Sequence, residues 1–190
     1  VFHYDVGDGH FIPPVTTGPI VLKWISPLIR REGGVVDCHL MVDNPAHQFA
    51  EFREAGADSV TVHYEVCPNL PEVVAQAREQ GLAVGLAFNP ETTVEQAASA
   101  ALEGEVDLVL CMSIHPGYSG QAFMPEALGR IRTLRDLLPD GIPIQVDGGV
   151  GPDNIRDLHD AGASLFVAAT SIFGREDLPR AYRRLVQDLA

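Results

Sequence analysis

The chain has 190 residues, 46% of them hydrophobic, and its 13 Lys and Arg against 26 Asp and Glu give a formal net charge of −13. That length and apolar content suit a single domain over 1–190 with a real core, while the acidic surplus opposes binding to nucleic acid or an anionic membrane surface and requires any anionic ligand to be small and held locally. No apolar run approaches the roughly 20 residues of a membrane helix, and no basic-then-apolar signal opens the chain.

In chain order, the first segment reads as a strand near 1–6, followed by a helix near 19–31. Strands near 35–40, 59–64, 82–88, 107–112, 142–147 and 164–169 then alternate with helices near 45–55, 69–80, 92–102, 124–138, 152–161 and 176–189. Regular alternation of short β-rich runs with amphipathic helices is the pattern of a parallel sheet covered by helices. The repeated phrases Glu54-Ala55-Gly56-Ala57-Asp58 and Asp160-Ala161-Gly162-Ala163-Ser164 each end a helix on glycine and lead into a strand. Seven strands are visible where a (βα)8 TIM barrel needs eight. The chain opens inside a strand, so the expectation is such a barrel lacking its first βα unit, about 30 residues. A doubly wound open sheet uses the same alternation, but no G-x-G-x-x-G follows the first strand.

Three strand ends carry chemistry: Phe2-His3-Tyr4-Asp5, Val36-Asp37-Cys38-His39 and Ile144-Gln145-Val146-Asp147-Gly148-Gly149. Residues two apart in a strand share a side, so His3 and Asp5 can reach one cation. With His39 and Asp147 from neighbouring strands the set becomes two nitrogens and two oxygens, suited to one divalent ion: zinc, manganese, Fe(II) or cobalt. Glycines at Gly117 to Gly120, with Tyr118 and Ser119 between them, and at Gly148-Gly149, together with Ala168-Ala169-Thr170-Ser171 after the last strand, offer backbone N–H groups to a phosphate. His10, His47, His63 and His159 are assigned to structure or surface. Cys38, Cys67 and Cys111 are odd in number and lack C-x-x-C spacing, so disulfides are not expected and a reducing cytoplasm fits.

At these residues the chain resembles the ribulose-phosphate 3-epimerase family. His3-Tyr4-Asp5-Val6-Gly7-Asp8-Gly9-His10-Phe11 resembles its H-x-D-V-M-D-G-H-F, and Asp37-Cys38-His39-Leu40-Met41-Val42 its D-x-H-L-M-V. His115-Pro116-Gly117-Tyr118-Ser119-Gly120-Gln121 is similar to N-P-G-F-G-G-Q, and Val146-Asp147-Gly148-Gly149 to V-D-G-G. The resemblance, from Phe2 to about Phe173, implies a cytoplasmic TIM-barrel isomerase that inverts C3 of a ketose phosphate, most readily D-ribulose 5-phosphate to D-xylulose 5-phosphate, through an enediolate. It implies His3, Asp5, His39 and Asp147 as metal ligands and Asp5 and Asp147 as the two opposed acid/base groups. It also implies that His39, Met41, Met112, Gly117, Tyr118, Ser119, Gly120, Gly148, Gly149, Ala169 and Thr170 contact substrate, and that the protein is a homo-oligomer.

The chain departs from the family pattern at Gly7 (Met), Pro14 (Asn), His115 (Asn or Glu), Ser119 (Gly) and Ala169-Thr170 (Gly-Ser). Gly7 suggests extra room at the reacting face. Two alternatives follow: an epimerase of D-allulose 6-phosphate, or a metal- and phosphosugar-binding barrel impaired in catalysis. A decarboxylase of the same broad superfamily fits less well, because its D-x-K-x-x-D needs a lysine and the sole lysine here is Lys23.

Overall fold

The computed structural model describes residues 1–189. Seven strands, β1 (Phe2–Gly7), β2 (Val36–Met41), β3 (Ser59–His63), β4 (Ala83–Phe88), β5 (Leu108–Met112), β6 (Ile144–Asp147) and β7 (Leu165–Val167), form one sheet in sequential order. Every pairing is parallel. The helices α1 (Pro19–Arg31), α2 (Phe49–Ala55), α3 (Leu70–Glu79), α4 (Val94–Gly104), α5 (Ala127–Leu137), α6 (Ile155–Asp160), α7 (Thr170–Phe173) and α8 (Leu178–Leu189) lie between or after the strands. Sequential order with helical crossovers is the connectivity of a curled α/β barrel rather than of a doubly wound sheet.

Alternation along each strand sorts the two faces. Val60 and Val62, Val84, Leu86 and Phe88, and Ile144 and Val146 point outward into the main core, where they meet Phe49, Phe52, Ala77, Ala101, Ile131 and Leu134 from the helices. Residues of the other parity point inward, and the register keeps them together: His3 pairs with Asp37, Asp5 with His39, His39 with Thr61, His63 with Ala87, and Met112 with Asp147. The inner face is therefore unusually polar for a buried surface, with Asp37, His39, Thr61, His63 and Gln145 all buried. A small apolar group, Ala87, Leu110, Met112 and Ile114, fills the rest.

Local chemistry explains the element ends. Gly56, at the C-terminus of α2, has φ +105°, and Gly162, just past α6, has φ +114°, so both repeated glycine phrases end their helices as the sequence predicts. Thr93 and Gln96 form a reciprocal capping box that starts α4. The last strand is shorter than predicted and runs only over 165–167, because it pairs on one side alone and the chain then turns into the one-turn helix α7, which sequence reasoning did not anticipate.

Among the described residues neither β1 nor β7 pairs on its far side, with β1 bonded to β2 and β7 to β6. Between them lies a largely apolar opening of about 460 Å³ bordered by Phe2, Phe166, Ile172, Phe173, Tyr182 and Val186. Cys38, Cys67 and Cys111 are free and buried, and burial pushes the Cys67 and Cys111 thiols up to about 12 and about 11. Among the described residues no helix is long and apolar enough to cross a membrane.

Candidate active site

Strands β1, β2 and β6 bring His3, Asp5, His39 and Asp147 together, each offering one ligand atom, with all four atoms within 4.8 Å of one another. Asp5 Oδ1 lies 3.1 Å from His39 Nδ1 and 3.5 Å from His3 Nε2, and Asp147 Oδ2 lies 3.8 Å from His39 Nδ1. His3 Nδ1 donates to Asp37 Oδ2 at 3.0 Å. That leaves Nε2 of His3 buried, turned toward Asp5 and without a hydrogen-bond partner. A buried imidazole nitrogen without a hydrogen-bond partner, beside two carboxylates and a second imidazole, belongs to the donor set a borderline divalent cation takes, so the residues present fit such an ion.

The carboxyls differ in their hold on a proton. Burial opposes ionisation of Asp5, but hydrogen bonds and charge from His3 and His39 hold it well below the ordinary carboxylate range. Asp147 is pushed up to about 7, first by burial and then by the negative charge of Asp5, against the pull of His3. Burial acts against a charge on His3 as well, but hydrogen bonds and charge from Asp37 and Asp5 outweigh it and raise it to about 10. Burial lowers His39 to about 4, with His63 and His3 adding to the effect and Asp5 opposing it.

Above this cluster opens a cleft of about 170 Å³ whose walls include Asp5 and Asp147, Met41 and Met112, the loop Gly117 to Gly120, Gly148-Gly149, and Ala169-Thr170. His3 and His39 do not line it; His39 is wholly buried beneath it. Tyr118 stands 64% exposed at the rim, and Gln121 holds its loop by donating to the carbonyls of His115 and Tyr118. The glycines after β6 are required by space as well as by conformation. A Cβ on Gly148 would sit 2.5 Å from Ile114 Cγ1, and one on Gly149 2.8 Å from the backbone N of Phe123, both at positive φ.

Two departures read differently in three dimensions. Gly7 does not open space, because a Cβ there would meet Ile12 Cδ1 at 2.5 Å and the Pro14 carbonyl at 2.7 Å: the neighbouring loop already fills the site of the absent side chain. His115 is 60% exposed, pairs with Glu91 at 3.0 Å and stands outside the cleft walls.

Three groups behind the cluster, the buried Asp37 and His63 and the solvent-exposed Glu65, escaped sequence reasoning as site residues. Asp37 accepts from His3, from Ser59 Oγ at 2.6 Å and from Thr61 Oγ1 at 3.1 Å. His63, assigned to structure or surface, has Nε2 2.8 Å from His39 Nε2 and Nδ1 3.2 Å from Glu65 Oε2. Burial works against ionised Glu65, but hydrogen bonds from His63, Thr92 and the backbone lower it to about 2. The signal was present: His3-x-Asp5, Asp37-x-His39 and His63-x-Glu65 repeat one spacing of imidazole and carboxylate, the first two within strands and the third across the end of β3.

The family model for the ribulose-phosphate 3-epimerase family matches residues 1–173. The chain is similar to the ribulose-phosphate 3-epimerase of Bacillus subtilis (34% identical, covering 94% of this chain and 82% of the relative). It is also similar to the cytoplasmic isoform from Oryza sativa (40% identical, covering 90% and 75%). Among solved structures it shares its fold with 3-hexulose-6-phosphate synthase from Salmonella typhimurium (TM-score 0.72, 17% identical, covering 100% and 86%). The orotidine 5'-phosphate decarboxylase from Pyrococcus horikoshii also has this fold (TM-score 0.68, 20% identical, covering 88% and 80%). With an α/β barrel-like sheet, an imidazole and carboxylate cluster at its strand ends and relatives matched over most of their length, the chain belongs to the ribulose-phosphate 3-epimerase family and is an isomerase acting on a sugar phosphate.

Proposed function

We propose that the chain is a divalent-metal-dependent 3-epimerase of D-ribulose 5-phosphate, with Asp5 and Asp147 as the two opposed acid/base groups. The observation that carries this reading is the convergence of both carboxyls, beside two imidazoles, in the lining of one cleft. Epimerisation next to a ketone removes a C–H proton from one face and returns one to the other. One carboxyl must start ionised and the other protonated, and the surroundings of Asp5 and Asp147 push the two in opposite directions. Met41 and Met112 supply an apolar wall that keeps water from the enediolate, and Gly148-Gly149 with Ala169-Thr170 offer backbone groups to the phosphate at the side of the cleft facing β6 and β7.

His3 through Nε2, His39 through Nδ1, and one oxygen each of Asp5 and Asp147 would hold the cation. A zinc, manganese, Fe(II) or cobalt ion so held supplies Lewis-acid stabilisation of the charge that develops on the sugar oxygens. The filled space over Gly7 and the outward position of His115 remove the two features that favoured a six-carbon substrate. The reading includes a cytoplasmic, homo-oligomeric protein of one domain. It also includes an eighth parallel strand seated between β7 and β1, supported by two unpaired sheet edges and the apolar opening that separates them.

Proton NMR with D-ribulose 5-phosphate in deuterated water tests the reaction. Deuterium entering C3 together with formation of D-xylulose 5-phosphate is the expected result, and Asp5→Asn or Asp147→Asn should each lower turnover by about 100- to 10,000-fold while the fold is kept. Near-normal rates in either variant overturn the two-base assignment. Metal and phosphate-ester binding without exchange would instead identify an impaired barrel.

A further inference from the structure

We propose that Ser113 is a positioning residue: its buried hydroxyl clamps the turn that ends β6 and thereby aims the carboxyl of Asp147 into the cleft. The proposal rests on the reading of Asp147 as one of the two acid/base groups. Ser113 follows β5 directly and is wholly buried. Its Oγ lies 2.8 Å from the Asp147 carbonyl oxygen and 2.7 Å from the Gly148 carbonyl oxygen. Backbone carbonyls only accept, so the hydroxyl must donate to this pair of oxygens, and the direction of the bond follows from the contacts alone. The Ser113 backbone N–H donates to the same Asp147 carbonyl at 2.8 Å, and the Ser113 carbonyl accepts from the Met124 N–H at 3.0 Å.

The turn needs a clamp for a geometric reason. Successive carbonyls of an extended strand point to opposite neighbours, yet those of Asp147 and Gly148 both face Ser113. Gly148 makes this reversal with φ +120°, a conformation that residues with a side chain rarely adopt. Asp147, the last residue of β6 and the register partner of Met112, therefore sits between a peptide held in the sheet and one held by Ser113. Two fixed peptide planes fix the direction of the Cα–Cβ bond between them, and with it the reach of the carboxyl that lines the cleft. Among the described residues no other donor reaches the Gly148 carbonyl. Without the hydroxyl that buried oxygen is left unpaired, and the backbone on both sides of Gly148 has to turn to satisfy it. A misplacement of about 1 Å in a reacting group costs about 100-fold in rate.

The test uses the full chain, supplied with zinc, manganese or cobalt, as wild type, Ser113→Ala, Ser113→Thr, Asp147→Asn and the double variant Ser113→Ala with Asp147→Asn, each checked for folding by near-ultraviolet circular dichroism. Turnover of D-ribulose 5-phosphate is read together with NMR hydrogen exchange of the two amides in the clamp, those of residue 113 and Met124. Ser113→Ala is expected to lower kcat by about 10- to 100-fold and to speed both exchanges by about 10-fold. Ser113→Thr, which keeps the hydroxyl, should recover most of the rate, and Ser113→Ala should cost nothing further in the Asp147→Asn background. A wild-type rate or wild-type exchange in Ser113→Ala overturns the clamp, and so does an equal loss in the Asp147→Asn background, which would place the action of the hydroxyl elsewhere. A near-normal rate in Asp147→Asn, or a wild-type chain without turnover, overturns the acid/base reading instead, and the exchange rates then decide the clamp by themselves.

Discussion

At the scale of single residues, the site depends on a few side chains that tolerate no substitute for reasons of space or charge. Gly148 combines φ +120° with a Cβ position 2.5 Å from Ile114 Cγ1 and 2.8 Å from the Ile114 backbone N. Gly148→Ala is therefore expected to cost about 1–3 kcal/mol, read as a lower urea midpoint, and to displace Asp147, read as loss of turnover beyond that stability cost. Glu65 has a folded-state pKa lowered to about 2. A carboxyl lowered on folding stabilises the native state above its unfolded pKa, about 4.3, and that contribution disappears as pH falls through the folded value. The stability difference between wild type and Glu65→Gln should be full at pH 6 and narrow steadily between about pH 4 and about pH 2. Urea titrations that show a constant gap over this range would mean that the charge of Glu65 does not stabilise the fold.

At the scale of elements, helices set the ends of strands and so set the site. Arg130 on α5 reaches inward, with Nη1 donating to the Met112 carbonyl at 2.8 Å and Nη2 to the Asn89 carbonyl at 2.7 Å, and its guanidinium lies 4.6 Å from the Phe88 ring centroid. One planar fork thereby ties the ends of β4 and β5 to α5, and neutral carbonyls bonded to a charged donor are among the stronger hydrogen bonds. Arg130→Lys keeps the charge but loses the fork. We expect a loss of about 1.5–3 kcal/mol in chemical denaturation, with turnover reduced as well because Met112 and the loop that holds Glu65 both lose an anchor. Unchanged stability would show that the fork is dispensable.

At the scale of the whole molecule, the seven strands form one curled parallel sheet whose first and last strands each pair on one side alone among the described residues. Its two free edges flank an apolar opening of about 460 Å³, and aligned apolar side chains on α1 (Ile20, Trp24, Leu28) and on α8 (Leu178, Tyr182, Val186) stand exposed. Parallel sheets of this kind are normally covered on both faces and closed at their edges. Joining a designed βα unit to the N-terminus should raise the denaturation midpoint, suppress binding of a hydrophobic dye and slow hydrogen exchange in β1 and β7. A midpoint and dye response unchanged by the added unit would mean that the opening is not the seat of a strand.

Alternation of apolar runs, period-two pairing within strands and glycine at helix ends are local properties, so the order of seven strands with their helices, and the convergence of His3, Asp5, His39 and Asp147 on one cluster, were legible from the chain itself. What fills a space or faces a ring nitrogen depends on residues remote in sequence, and there tertiary structure decided. Gly7 reads as an opening until Ile12 and the Pro14 carbonyl are seen in its place. His63 reads as a structural histidine until β2 and β3 set it 2.8 Å from His39 and the loop after β4 holds Glu65 behind it. The opposite proton affinities of Asp5 and Asp147 belong to this class too, since desolvation and neighbouring charge are properties of a packed site and not of a motif.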